Sequence, residues 1–233
     1  MIIKLQQKQL ALFSPGIVVA DKLRTANALN EILGGLFDSD PVLLPLPDTA
    51  PPEFPHTLLK SKDDRHTLKI AKNRLDFFYQ NKEEEESLFP VPSVFDNFLK
   101  IFGYFKENAH THFTRSAIVT DWSVELEKST GAEYLLRKYI REKTPIHNPL
   151  DAELHYLNKI SIAEFKANQW IRLKSARKIS GPEQNKFIIF HVDINTLGEE
   201  TYEFDKDSLQ KFLSESSEVV KNAVDTHLKQ LGE

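Results

Sequence analysis

The chain has 233 residues, 40% apolar and 27% charged, the balance of an ordinary globular protein with a sizeable core. Its net charge of −4 argues against general nucleic-acid binding, which draws on a basic surface to release counterions from phosphate. Cysteine is absent, which excludes disulfides, thiol nucleophiles and thiolate metal sites and suits a reducing cytosol.

The opening run, Met1-Ile-Ile-Lys-Leu-Gln-Gln-Lys-Gln-Leu-Ala-Leu-Phe13, has no continuous apolar stretch and no small-residue cleavage site. It reads as a first strand over residues 3–13, not as a signal peptide. A Ser14-Pro15-Gly16 turn leads into a helix over 21–37, with Asp21 as N-cap. Leu23, Ala26, Leu29, Leu33 and Leu36 are its expected buried face, and Gly34-Gly35 marks its fraying end. Residues 41–55 hold six prolines, a density that forbids helix and interior strand. Val42, Leu43, Leu44 and Phe54 make this segment an ordered strap across the body; the other reading is recruitment of a proline-reading domain. Strands at 66–72 and 74–80 form a hairpin about Lys72-Asn73, with 56–61 as a third member. The run Glu83-Glu-Glu-Glu86 is a solvated loop or a cation site.

Phenylalanine is the compositional oddity, sixteen against one methionine. Phe95, Phe98, Phe102 and Phe105 fall at helical spacing within 92–108, as a core stripe or a pocket lining. The second half opens with a strand over 114–127, placing Ile118, Trp122, Val124 and Leu126 on one face. A short helix follows at 131–140, then a turn at 145–149 and strands at 153–162, 169–177 and 186–196. The last strand alternates, with Ile188, Phe190, Val192 and Ile194 on one side and Phe187, Ile189, His191, Asp193 and Asn195 on the other. A terminal helix over 207–231 carries an apolar stripe from Leu209 to Leu231. Strands followed by a helix thus recur in both halves. The expected fold class is α+β, with mainly antiparallel sheets and helices packed on one side. It forms one compact body over 1–233, with possible lobes at 1–112 and 113–233. No stretch approaches the roughly 20 apolar residues of a membrane span, so a soluble cytoplasmic protein is expected.

Four constellations carry candidate chemistry. His191, Asp193 and Asn195 share one side of a strand; they could hold a divalent cation, or His191 and Asp193 could share a proton. The competing explanation is the wet face of a half-covered sheet. His110 and His112 are spaced to bind zinc but lack an identifiable third ligand, which favours a surface loop. Asp151, Glu164 and Lys166 superficially resemble the acidic-plus-lysine signature of a magnesium-dependent nuclease. Trp170, Arg172, Lys174 and Lys178 fall opposite Ile171 and Leu173, an aromatic interleaved with cations as a single-stranded nucleic acid or phosphorylated ligand would use. Alternatively, Trp170 caps the core beneath the cationic stems. No phosphate-cradling glycine loop and no serine-nucleophile elbow is present.

The opening strand and helix, Arg115-Ser-Ala-Ile-Val-Thr-Asp-Trp122, Asn168-Gln-Trp170 and Asp193-Ile-Asn-Thr196 give residues 6–229 another meaning. On these pieces the chain resembles a sporadically distributed family of uncharacterised bacterial proteins with no established activity. The resemblance implies an α+β fold and transfers no functional residue. The sequence therefore favours a binding protein without catalysis and without a cofactor. It would meet a protein or a small anionic ligand on an exposed sheet face or edge. The alternatives are a metal-dependent hydrolase or nuclease and a structural subunit of a homodimer.

Overall fold

The computed structural model describes residues 2–47, 49–82, 91–127, 129–140, 149–176 and 186–229. The elements of the first half are β1 (Ile2–Phe13), α1 (Lys22–Ile32), β2 (Val42–Leu43), β3 (Thr57–Lys60), β4 (His66–Ile70), β5 (Arg74–Gln80) and α2 (Pro92–Asn108). Those of the second are β6 (Arg115–Glu125), α3 (Gly131–Tyr139), β7 (Glu153–Ile162), β8 (Phe165–Ala176), β9 (Phe187–Thr196) and α4 (Lys206–Val224), which runs into a π turn at Asp225–Lys229.

The strands form one nine-stranded sheet in the order β2-β3-β4-β5-β1-β6-β9-β8-β7, antiparallel at every pairing. β1 and β6 pair down the middle, from Phe13 opposite Arg115 to Ile2 opposite Glu125, with a bulge that accommodates Gln6. From each central strand the chain leaves through a helix and returns by a meander. β3-β4-β5 comes back beside β1, and β7-β8-β9 beside β6. The repeated element order read in the sequence is thus a repeated topology about the β1–β6 seam.

Alternation decides which face is covered. Leu10 and Leu12 of β1, Leu75 and Phe77 of β5, Ile118 and Val124 of β6, and Ile188, Phe190, Val192 and Ile194 of β9 are buried. They join the inward faces of the helices in one apolar cluster. The opposite parity of the same strands is half-buried or exposed along most of its length. The α+β class with helices on one side is therefore realised as a single open-faced sheet.

Local chemistry starts each helix where it does. Asp21 Oδ1 accepts from Arg24 N at 2.9 Å, and capping boxes join Thr130 with Glu133 and Asp205 with Ser208. Helix α1 stops at Ile32 because Gly34 and Gly35 take φ of 67° and 79°, shorter than the predicted 21–37. Leu23, expected inside, is 51% exposed, whereas Phe37 beyond the glycines turns inward. Phe98, Phe102 and Phe105 are core, and Phe95 lies half-buried at the helix margin.

The strap is ordered, for a different reason from the one its apolar residues suggested. Val42, Leu43 and Phe54 remain exposed. Backbone hydrogen bonds hold it instead: β2 pairs with β3, Leu44 N donates to His56 O at 2.9 Å, and Lys72 N donates to Pro52 O at 3.0 Å. A two-residue edge strand is as much sheet as this proline density permits. Residues 83–86 and most of the 145–149 turn lie outside the described residues, as do Lys178 and Leu231.

Candidate functional site: the open sheet face

Cross-strand register assembles the candidate site residues. Trp170 of β8 stands opposite Asp193 of β9, Arg172 opposite His191, Lys174 opposite Ile189, and Asn168 opposite Asn195. Residues directly opposite one another project to the same face, so Trp170, Arg172, Lys174, His191, Asp193 and Asn195 share one surface. That surface is the open one, because Ile171 and Leu173 between them are buried toward the helices. Two constellations that were separate in the sequence are one patch in the fold.

Hydrogen bonds order the patch. His191 Nδ1 lies 2.6 Å from Asp121 Oδ1 of β6, so its carboxylate partner is Asp121, one strand over, and not Asp193. Asp193 Oδ1 instead accepts from Asn195 Nδ2 at 2.9 Å, and Asn168 Nδ2 donates to Asn195 Oδ1 at 3.4 Å. The His155 ring lies against Trp170 with centroids 5.2 Å apart. Arg172 and Lys174 are exposed, with no ion pair among the described residues. Nearby, Leu157 and Ile189 expose 40% and 36% of their surface, leaving apolar ground beside the cations.

The same face continues across the seam. Phe13 lies between two guanidinium groups, Arg74 at 4.7 Å and Arg115 at 4.9 Å from its ring centroid. Arg74 is steadied by Asp76 at 2.7 Å, and Arg115 donates to Thr196 O at 3.2 Å. Lys69 sits over Phe78 at 4.6 Å. Lys4 and Lys60 on the first half, and Lys159 and Lys166 on the second, project to this side by the same register. Its strand carboxylates are Asp76, Asp121, Glu125, Glu153 and Asp193, three of them already engaged by Arg74, His191 and Asn195, while Glu199 and Glu200 after β9 pair with Lys159 and Lys166. Cations therefore exceed carboxylates on the open face of a chain whose net charge is −4. The acidic surplus lies elsewhere on the molecule.

The nuclease-like trio does not converge. Asp151 precedes β7 and accepts from Ser175 Oγ at 2.5 Å, whereas Glu164 occupies the turn at the far end of the β7–β8 hairpin. A ten-residue strand, roughly 33 Å long, separates them. Glu164 pairs with Lys211 and Lys166 with Glu200, so none of the three addresses a shared point. His110 and His112 lie in the loop after α2, His112 beside Glu203 at 3.5 Å. Among the described residues no group of three or more His, Asp and Glu side chains is placed to hold a metal ion.

Sequence reading missed Asp121, His155, Arg115 and Phe13. Each has the outward parity of its strand, which was available as a signal. What brings them to the patch is pairing across long separations, 70 residues for Asp121 with His191. It also missed a polar cluster on the helix side. There the two ring nitrogens of His227 meet Tyr139 OH at 2.8 Å and Tyr156 OH at 2.6 Å, and Lys138 Nζ donates to His227 O at 2.8 Å. Burial, with help from Lys138, holds the imidazole below its usual pKa, and burial pushes both tyrosines up. This cluster clasps the π turn to α3 and β7. No helix among the described residues is long and apolar enough to cross a membrane.

No family model and no curated protein matches the chain. Among solved structures, a rolling circle replication initiator protein from Geobacillus stearothermophilus aligns with 96% of this chain and 84% of its own, at 11% identity and a TM-score of 0.33. Methanococcus jannaschii TBP aligns with 95% of this chain and 99% of its own, at 13% identity and a TM-score of 0.26. Likeness at this level carries nothing over to the chain.

Proposed function

We propose that this protein is a binding protein that works without catalysis and meets an anionic partner on the open face of its sheet. One observation carries the reading: cations outnumber carboxylates on that face although the whole chain is acidic. A random scatter of this composition would favour carboxylates there. Supporting it, Arg172 and Lys174 stand exposed beside Trp170, and they are free to pair with an anion while the indole offers a planar contact. Exposed charges add little to folding, so fold stability does not account for the surplus.

Calorimetric titration with inorganic polyphosphate tests the reading, comparing wild type with an R172E/K174E double variant. Binding that falls at least tenfold in the double variant and weakens with salt supports it. Equal binding by both proteins, or none by wild type, rejects it.

A homodimer is the second reading. β7 is a sheet edge of ten residues with no strand beyond it among the described residues, and it exposes Leu157. Sedimentation equilibrium at several concentrations decides it: a concentration-dependent dimer lost in a Leu157→Lys variant supports edge pairing, and a monomer throughout refutes it.

A further inference from the structure

We infer that the anionic partner is a single-stranded nucleic acid, laid diagonally across the open face between two aromatic–cation clusters; this rests on the reading of that face as an anion-binding surface. One cluster is Trp170 with His155 and Arg172 on β7 and β8. The other is Phe13 between Arg74 and Arg115, where β1 meets β5 and β6. Both project away from the helices.

Their separation selects the ligand. From β1 to β8 the sheet crosses β6 and β9, three strand spacings or roughly 14 Å. Along the strands, Trp170 aligns through Asp193 with Val119, four residues from Arg115, or roughly 13 Å. The diagonal is about 20 Å. A free phosphate or a mononucleotide reaches one cluster only. A chain that alternates planar rings with negative charges reaches both, stacking on Trp170 and pairing with Arg172 at one end and with the Arg74 and Arg115 guanidinium groups that flank Phe13 at the other. Between the clusters the face is low and polar, with Ala117 and Val119 beside the Asp193, Asn195 and Asn168 amide chain.

Other polyanions use less of this surface. An acidic peptide or polyphosphate would satisfy the cations and leave the rings idle. A duplex keeps its bases stacked on one another, out of reach of an indole. The acidic net charge is no obstacle here, because counterion release depends on the local balance, and on this face cations exceed carboxylates.

The test is fluorescence anisotropy of labelled oligodeoxythymidylates of 3, 6 and 12 nucleotides, with a 12-base-pair duplex and inorganic polyphosphate as comparison ligands. The 12-mer should bind at least tenfold tighter than the 3-mer and tighter than the duplex. R172E/K174E should weaken the 12-mer tenfold or more and reduce the slope of log K against log salt by about 1.4, at roughly 0.7 per lost phosphate contact. The two tryptophans add a second readout, since Trp122 is buried on the helix side and Trp170 lies on the open face. The 12-mer should quench tryptophan emission, and Trp170→Phe should abolish the quenching without unfolding the protein. If polyphosphate binds in a manner that depends on Arg172 and Lys174 while no oligonucleotide does, the nucleic-acid inference falls and the anion-binding reading stands. Duplex binding as tight as single-strand binding, or a 12-mer that leaves Trp170 unquenched, also overturns the inference. If no polyanion binds, or the double variant binds as wild type does, both fall.

Discussion

Gly131→Ala sets two effects against each other. Gly131 opens α3, and in a helix alanine is favoured over glycine by at most about 1 kcal/mol, less in the first turn. Against this, a Cβ built on Gly131 would lie 2.2 Å from the backbone oxygen of Phe187 and 3.1 Å from Ser175 Cβ. The first contact is with the main chain of β9, held in the sheet by its pairing with β6 and β8, and cannot swing aside. Relieving it means moving α3 off the sheet by more than an ångström, while the Thr130–Glu133 box fixes where the helix begins. Forced overpacking of this kind costs about 1–3 kcal/mol, enough to outweigh the propensity gain. Urea denaturation should therefore show the variant less stable by about 1–2 kcal/mol, with an unchanged m-value. A variant more stable than wild type by several tenths of a kcal/mol or more would refute the close approach of α3 to β9.

Other consequences are open to measurement. Phe98→Ala and Phe102→Ala should each cost about 3–5 kcal/mol in chemical denaturation, and the half-buried Phe95→Ala about half as much. Limited proteolysis of the native protein should spare residues 41–55, whose main chain is hydrogen-bonded to β3 and to Lys72; early cutting there would show a free linker. His56, His66 and His227 are all held below the ordinary imidazole pKa, chiefly by burial. The unfolded chain then takes up protons that the folded chain refuses, so the midpoint of thermal unfolding should drop as pH falls through 6.5. Burial also lowers Lys8 from 10.5 to about 7, so stability should rise between those values, by on the order of 5 kcal/mol. Lys8→Met should flatten that rise, and an equally steep rise in the variant would reject the assignment.

Sequence showed which side chains leave the sheet together, and little about whom they meet. Strand residues 187–195 reveal their two faces because period two is a local property, and the same holds for Trp170, Arg172 and Lys174. Register between distant strands is not local. Hence the pairing of His191 with Asp121 was invisible, and so was the placing of Trp170 beside Asp193. Closeness in sequence misled for Asp151, Glu164 and Lys166, because a hairpin puts its turn and its open end at opposite extremes. Net charge is blind in a similar way: it sums over the whole chain and says nothing of the balance on one face. The strap was legible as ordered from the apolar residues between its prolines, yet those residues pointed to burial where backbone pairing does the holding.

Lysine footprinting by mass spectrometry tests most directly whether the open face is the binding surface. Acetylation rates would be compared with and without inorganic polyphosphate for Lys60, Lys159 and Lys174 on the open face and for Lys100, Lys211 and Lys221 on the helices, all of them exposed. The account predicts protection of the first group, strongest at Lys174, and unchanged rates in the second. Protection confined to the helix lysines, or equal across both groups, would contradict it.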